Sequence, residues 1–383
     1  MEIAIDFFST CKIVDGIAQY TGGANYAKHR LGELKKIDTK LHKITLLVPY
    51  NYVVPEEDIC LLDGFNLFYI NDITQYDYAN CDVLYLPQVN GSVLLKIVSI
   101  KKKYSKLKII ATLHDRQHNM IKFDKYDRYY ATGIKRLLPV SFLLYVGKKI
   151  AFNLLYSTCI KFVDKIITVS NYSMQQLNVR NATFIKYYLN NNVFVSPKRE
   201  IFTPKNYCLF VGGNRPDKNL LRTLEAFCLF KRNQICDIKM VVTGINERFK
   251  RQISQLDILD NSIISQYVQF YDYVSYTELS QLYAESKYVV FMSKCEGFGL
   301  PVKEALYYGK AVLASNTTSI PEVAGASAYY VNPYNIQSIV NGFKTFENDY
   351  IIKHYEKSSQ KRYEILEDIY KLDKEEFFFD FFN

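Results

Sequence analysis

Short apolar runs rich in Ile, Val, Leu and Tyr alternate along this chain with longer stretches of helical period. That alternation is the pattern of βαβ units around parallel sheets. In the first half, "MEIAIDFF", "KITLLVPYNY", "FNLFYIN", "DVLYLPQ", "LKIIATLHD" and "DKIITVSN" read as strands. After the polar, proline-marked stretch "VSPKREIFTPKN" (195–206) the pattern begins again with "YCLFVGG", "IKMVVTG", "VQFYDYV", "KYVVFMS" and "KAVLAS". The spacing predicts an α/β protein of two doubly wound, Rossmann-like halves facing a central cleft, with ligands beyond the carboxyl ends of the strands. The expected domains are 1–198 and 199–350, with a helical segment 351–383 that packs back on the first domain.

Composition changes this picture little. The chain has 383 residues, 49% hydrophobic and 23% charged, which fits a folded protein of more than one core. Its net charge of +9 comes from basic residues spread over the sequence and points only to anionic partners in general. The eight cysteines form no C-x-x-C pair, so neither a zinc site nor a disulfide framework is expected. Glu2 and Asp6 stand where a signal peptide carries basic residues, and no apolar stretch is long enough to span a bilayer. A cytoplasmic protein is expected.

The stretch "SKCEGFGLPVKEALYYGK" (293–310) carries the most chemistry. A strand ends near Ser293, a glycine-bearing loop follows, and Pro301 suits a first helical position. Without side chains at Gly297 and Gly299 a ligand can approach the backbone, and the N–H groups of the loop and first turn favour an anion. Glu296 and Glu304, either side of that loop, can each accept hydrogen bonds from a polyol. Sugar, ribose and the phosphates between them describe a nucleotide sugar. Glu304 taken alone is equally explained by the preference of a helix start for negative charge.

Three further stretches fit the same ligand. In "GGNRPDKN" Arg215 and Lys218 follow a strand and a glycine turn, so a guanidinium and an ammonium can converge on one diphosphate. In "TGGANYAKHR" Gly22 and Gly23 open a helix and let backbone come close to a ligand; an ordinary turn is the other reading. His114 and Asp115 end the strand "LKIIATLHD". There the imidazole is placed either to bond a donor sugar or acceptor hydroxyl or to be satisfied by neighbouring backbone, and the carboxylate to bind or to cap a turn. No D-x-D triplet occurs, so no metal is indicated.

The segment "CEGFGLPVKEALYYGKAVLASNTTSIPEVAGASAYYVNP" resembles the E-x7-E signature region of glycosyltransferase family 4, retaining enzymes of the GT-B fold. The resemblance extends over nearly the whole chain through "VGGNRPDKNLLRTLEAF", "VQFYDYVSYTELSQLYAES", "TLHD", "ITVSNYS" and "TGGANYAKHRL". It implies a donor-binding second domain and an acceptor-side first domain. It further implies that Glu304 binds ribose hydroxyls, that Glu296 binds the donor sugar with the loop Gly297, Phe298, Gly299 and Leu300, and that Arg215 and Lys218 bind the diphosphate. Tyr273 and Val274 would lie on the nucleobase side, and Gly22, Gly23, His114 and Asp115 would come from the first domain. The expected chemistry has no protein nucleophile, no cofactor and no metal; the departing phosphate oxygen takes the acceptor's proton. Two departures from the family pattern are Asp272, where glycine is usual, and an arginine placed two residues after the second glycine.

The expected partners are a nucleoside-diphosphate sugar and a glycan or lipid-linked saccharide, in bacterial surface polysaccharide biosynthesis. A non-catalytic nucleotide-sugar-binding subunit is the alternative. A dinucleotide oxidoreductase is excluded by the lack of G-x-G-x-x-G after the first strand, and no nucleic-acid motif is present. Residues 133–163 mix apolar faces with Lys135, Arg136, Lys148, Lys149 and Lys161 and read either as a helix laid on the anionic inner face of a membrane or as a helix pair packed on the first domain.

Overall fold

A computed structural model describes residues 1–14, 17–20, 22–35, 42–114, 122–130, 137–176, 185–187, 203–232 and 236–382. The chain divides into two compact units, 1–118 with 147–192 and 370–383, and 119–146 with 193–369.

The first unit holds β1 (Glu2–Asp6), β2 (Cys11–Val14), β3 (Ile17–Tyr20), β4 (Lys43–Pro49), β5 (Asn66–Ile70), β6 (Val83–Leu86), β7 (Lys108–Leu113), β8 (Lys165–Thr168) and β9 (Ile185–Tyr187). Its helices are α1 (Gly22–Leu34), α2 (Ile59–Leu62), α3 (Gly91–Lys103) and α5 (Asn171–Gln176), while α4 (Leu138–Cys159) runs on from the second unit. Seven strands form a parallel sheet in the order β5-β4-β1-β6-β7-β8-β9, and β2 and β3 make a separate antiparallel pair. Alternation within a strand sends successive side chains to opposite faces. Ile3, Ile5, Val83 and Tyr85 therefore join one buried cluster. Ala4, Leu84, Leu86 and Ala111 join the other.

The second unit holds β10 (Tyr207–Val211), β11 (Lys239–Thr243), β12 (Val268–Phe270), β13 (Tyr288–Phe291), β14 (Val312–Ser315) and β15 (Ala328–Val331), parallel in the order β12-β11-β10-β13-β14-β15. Around it lie α6 (Leu220–Arg232), α7 (Glu247–Ile253), α8 (Asn261–Tyr267), α9 (Tyr276–Glu285), α10 (Leu300–Tyr307), α11 (Ile320–Ala324), α12 (Ile336–Thr345) and α13 (Asp349–Phe382). Phe210, Leu224, Phe227, Val290, Leu313 and Phe343 are at the centre of its core.

Every run read as a strand from sequence contains one. The pair β2–β3 and the edge strands β9 and β15 are additional to those runs. Of the residues expected in the first domain, the described 122–130 and 137–146 group with the second unit. The reason is physical. Tyr126 is 4% exposed within the second core, Tyr130 stacks on Phe249 at 5.3 Å, and Asp124 and Asp127 pair with Arg222 and Lys294 at 2.6 Å each. Helix α13 is shared, its residues to 369 in the second unit and the rest in the first.

Candidate active site

In the second sheet β10 is followed outward by β11 on one side, while β13 lies on its other side, so the loops leaving β10 and β13 diverge. Such a topological switch point is where doubly wound sheets bind ligands. The β10 loop turns through Gly212 and Gly213. Gly213 has φ +68°, and a Cβ there would come within 2.9 Å of the Gly244 carbonyl oxygen, so only glycine fits. A single 3₁₀ turn, Pro216–Lys218, follows, and Asn219 in a left-handed conformation turns the chain into α6.

This turn puts Lys218 across from the β13 loop. Its Nζ donates to Glu296 Oε1 at 2.5 Å and lies 3.6 Å from Asp217 Oδ2. Burial alone would lower the lysine's pKa, but Glu296 and Asp217 together outweigh it and hold the pKa above its ordinary value. The ammonium stays charged. Arg215 reaches Asp217 Oδ1 through Nε at 3.0 Å, with its side chain 53% exposed. Asp217, buried and not singled out by the sequence, thus organises both cations. Its own carbonyl accepts from the Lys294 N–H at 2.7 Å and from Ser293 Oγ at 3.0 Å, which ties the two loops together.

The β13 loop, Ser293–Gly299, is buried throughout. Its main chain is held by the segment after β14. Thr317 Oγ1 donates to Ser293 O at 3.1 Å, Thr318 Oγ1 accepts from Glu296 N–H at 3.1 Å, and Ser319 Oγ donates to Glu296 O and Phe298 O at 3.1 and 2.9 Å. Phe298 is 4% exposed and anchors the loop in the core. Gly299, at φ +102°, is the N-cap of α10; Leu300 is the first helical residue and Pro301 the second, one place later than the sequence suggested.

Glu304 therefore falls in the second turn of α10, beyond the first-turn position that the sequence reading gave it, and the helix-start preference for acids does not explain it. Its Oε2 accepts from the buried Tyr283 hydroxyl of α9 at 2.7 Å. Among the described residues nothing bonds its other oxygen. Burial raises the Glu304 pKa to about 7 even though the Tyr283 bond opposes the shift. Tyr283 is itself fixed by stacking on Tyr308, ring centroids 5.6 Å apart.

A buried ion cluster stands behind the β13 loop. Lys294, 1% exposed at its side chain, reaches Asp127 at 2.6 Å and Asp124 at 3.8 Å, and Asp124 also pairs with Arg222 at 2.6 Å. On the far side of the sheet Tyr273 is 77% exposed after β12, its N–H donating to Asp272 Oδ1 at 2.8 Å. Val274 is half-buried just before the Ser275–Glu278 capping box that starts α9.

The residues expected from the first half lie in the first unit. Gly22 and Gly23 are the first residues of α1. His114, at the end of β7, donates from Nε2 to Pro87 O at 2.9 Å and meets the Tyr26 ring edge-on at 4.9 Å. Burial lowers its pKa to about 4, with the Pro87 bond opposing, so the imidazole is neutral at physiological pH with Nδ1 as its acceptor. Asp115 lies outside the described residues.

Residues 192–364 match the family model described as glycosyl transferases group 1. The chain is similar to O-antigen chain mannosyltransferase B of Escherichia coli, 30% identical over 135 residues that cover 35% of each chain. It is also similar to O-antigen chain mannosyltransferase RfbU of Salmonella typhimurium, 27% identical over 216 residues, 55% of this chain and 57% of the relative. The matches thus span a third to just over half of these two relatives' length. Among solved structures, sucrose-phosphate synthase from Thermosynechococcus elongatus superposes with a TM-score of 0.66 at 13% identity, covering 100% of this chain and 99% of that one. Anabaena HepE, solved in complex with UDP-glucose, gives 0.61 at 15% identity, with 98% and 99% covered. At such identities the shared property is the fold, which is α/β of the GT-B type.

Proposed function

We propose that the protein is a retaining, metal-independent glycosyltransferase of family 4 that moves a hexose from a nucleoside-diphosphate donor to a glycan or lipid-linked saccharide in bacterial surface polysaccharide assembly. Mannose is the first candidate sugar, because the curated relatives are O-antigen mannosyltransferases. The observation that carries the reading is the Lys218–Glu296 contact at the switch point, with Glu304 half-buried at one side of the loop and bonded through Oε2 to Tyr283.

In this reading Lys218 leaves Glu296 in part for the diphosphate, and Arg215 joins it from the exposed side. Their fixed charge stabilises the diphosphate as it departs, where positioned cations act without reorganisation cost. Glu304 takes ribose hydroxyls on its open oxygen, and Glu296 orients the sugar. The bond from the anomeric carbon to the phosphate oxygen breaks while the acceptor oxygen bonds to the same face, and the acceptor's proton passes to the departing phosphate oxygen. The test is release of UDP or GDP from UDP- and GDP-hexoses, GDP-mannose included, by the wild type and by Glu296→Gln. Turnover that falls by about 10²-fold or more in the variant supports the assignment. A wild type that binds these donors without turning them over supports the non-catalytic subunit instead.

Peripheral contact with the inner face of an anionic membrane belongs to the same proposal. On α4 the side chains of Leu143, Ile150 and Leu154 are 68%, 63% and 64% exposed. They share one helix face at i, i+7, i+11, with Lys148 exposed on the same helix and Lys161 just beyond its end. Among the described residues no helix is long and apolar enough to cross a membrane. Cosedimentation with phosphatidylglycerol vesicles but not phosphatidylcholine vesicles, lost in Leu143→Glu/Leu154→Glu, is the expected result. Equal recovery with both lipids, or unchanged binding of the variant, contradicts it.

A further inference from the structure

The chain after β14 contains a backbone anomaly that the chemistry above does not use. Thr318 has φ +56°, and it is one of two non-glycine residues with positive φ among those described. A β-branched side chain is especially disfavoured in that region, and such strain persists only where the surroundings over-determine it. The surroundings here are Thr317 and Ser319, which grip Ser293, Glu296 and Phe298 by their backbone carbonyls. In the left-handed conformation the Thr318 hydroxyl lies 3.1 Å from the Glu296 N–H and accepts its hydrogen bond. Glu296 is thereby held by its backbone N–H and carbonyl from one side and by its carboxylate through Lys218 from another.

We propose that Thr318 is a positioning residue: its hydroxyl fixes the main chain of Glu296 so that the carboxylate meets the donor sugar at the reacting geometry. Glycine would relieve the backbone at this point, so the threonine is there for its hydroxyl. The inference rests on the assignment of Glu296 to the donor sugar and adds a residue that neither composition nor spacing marks.

The experiment compares Thr318→Ser, Thr318→Val and Thr318→Gly with the wild type and Glu296→Gln, using release of nucleoside diphosphate from the hexose donor the wild type turns over. Far-UV circular dichroism and Tm verify folding. Serine keeps the hydroxyl, valine keeps the branched shape without it, and glycine removes both hydroxyl and strain. Expected are a kcat lowered about 10- to 100-fold in the valine and glycine variants, as for a small misplacement of a reacting group. The donor KM should change by less than about 3-fold, and serine should restore most of kcat. A purely structural role predicts instead that glycine, the unstrained variant, matches the wild type and that serine tracks stability. Wild-type kcat in Thr318→Gly, or a serine variant as slow as the valine one, overturns the proposal while a slow Glu296→Gln leaves the donor-site reading standing. An unaffected Glu296→Gln overturns both.

Discussion

Lys218 Nζ and Glu296 Oε1 stand 2.5 Å apart across 78 residues of sequence, with side chains 13% and 11% exposed. A pair so far from water is sensitive to removal of one member, because the other is left charged and buried. Lys218→Met is expected to destabilise the second unit by roughly 3 kcal/mol and to lower donor turnover by about 10²- to 10³-fold. Lys218→Arg should recover much of the stability and less of the rate, since a planar guanidinium does not replace a point charge. Urea denaturation read beside initial rates checks both. In a double-mutant cycle with Glu296→Gln the losses should be well short of additive.

Glu304 gives a pH dependence with a definite sign. Its carboxyl titrates at about 7 in the folded chain. Binding of ribose hydroxyls to the carboxylate should therefore strengthen as pH rises through 7 and level off above it, with proton uptake by buffer during titration below the midpoint. The unliganded fold responds oppositely: a carboxyl whose folded pKa is raised contributes stability that is present below its ordinary value and lost as pH rises through about 7. Tyr283→Phe removes the Tyr283 hydroxyl bond that favours the ionised form and should move the midpoint upward. Of its charged and ionisable neighbours, Lys303 turns to Glu367, Lys310 to the Ser286 carbonyl, and Tyr308 stacks on Tyr283. Isothermal titration between pH 5.5 and 8.5 reads the midpoint, and Glu304→Gln should flatten the profile.

The cluster of Asp124, Asp127, Lys294 and Arg222 predicts unequal costs for removing its members. Lys294→Met would leave the buried Asp124 and the half-buried Asp127 with Arg222 alone, a loss of about 3 kcal/mol. Asp127→Asn would leave Lys294 still facing Asp124, a loss of about 1–2 kcal/mol. Chemical denaturation of the two variants should rank them in that order.

The β10 turn predicts a difference between two glycines. Gly213 and Gly309 have nearly the same φ, +68° and +65°, but only at Gly213 would a Cβ strike another backbone. Gly309→Ala should cost about 1 kcal/mol and leave donor affinity alone. Gly213→Ala should cost clearly more and weaken donor binding, because the turn that carries Lys218 must shift.

Much of the fold was legible because parallel strands buried on both faces read as near-continuous apolar runs. The exceptions have local causes. β2 and β3, of four residues each, flank the turn-prone dipeptide Asp15–Gly16 and are too short to stand out from the βαβ pattern. β9 is a strand of three residues and β15 one of four at the sheet edges, too short for a period to show. Within the candidate site, Glu296, Glu304, Lys218 and the loop glycines are the members that residue type and spacing single out. Asp217, Tyr283, Thr318 and the Asp127–Lys294 pair did not, since each acquires its meaning from a partner brought near by the fold, in the last case 167 residues away. Pairing over such distances has no local signature, and a tyrosine in an apolar helix looks like any core residue.

If Lys218 and Arg215 supply the positive charge for the diphosphate, EDTA should leave donor turnover within about 2-fold of the untreated rate. Abolition by EDTA with recovery on adding Mg²⁺ or Mn²⁺ would contradict that assignment.

In the proposed function, the loops after β10 and β13 bind a nucleoside diphosphate between a lysine and a carboxylate. Calorimetric titration of UDP and GDP into the wild type, Lys218→Met and Glu304→Gln tests it most directly. Saturable binding of at least one of the two by the wild type, weakened about 10-fold or more in each variant, is the result expected. No binding of either nucleotide, or binding that both variants retain in full, would contradict it.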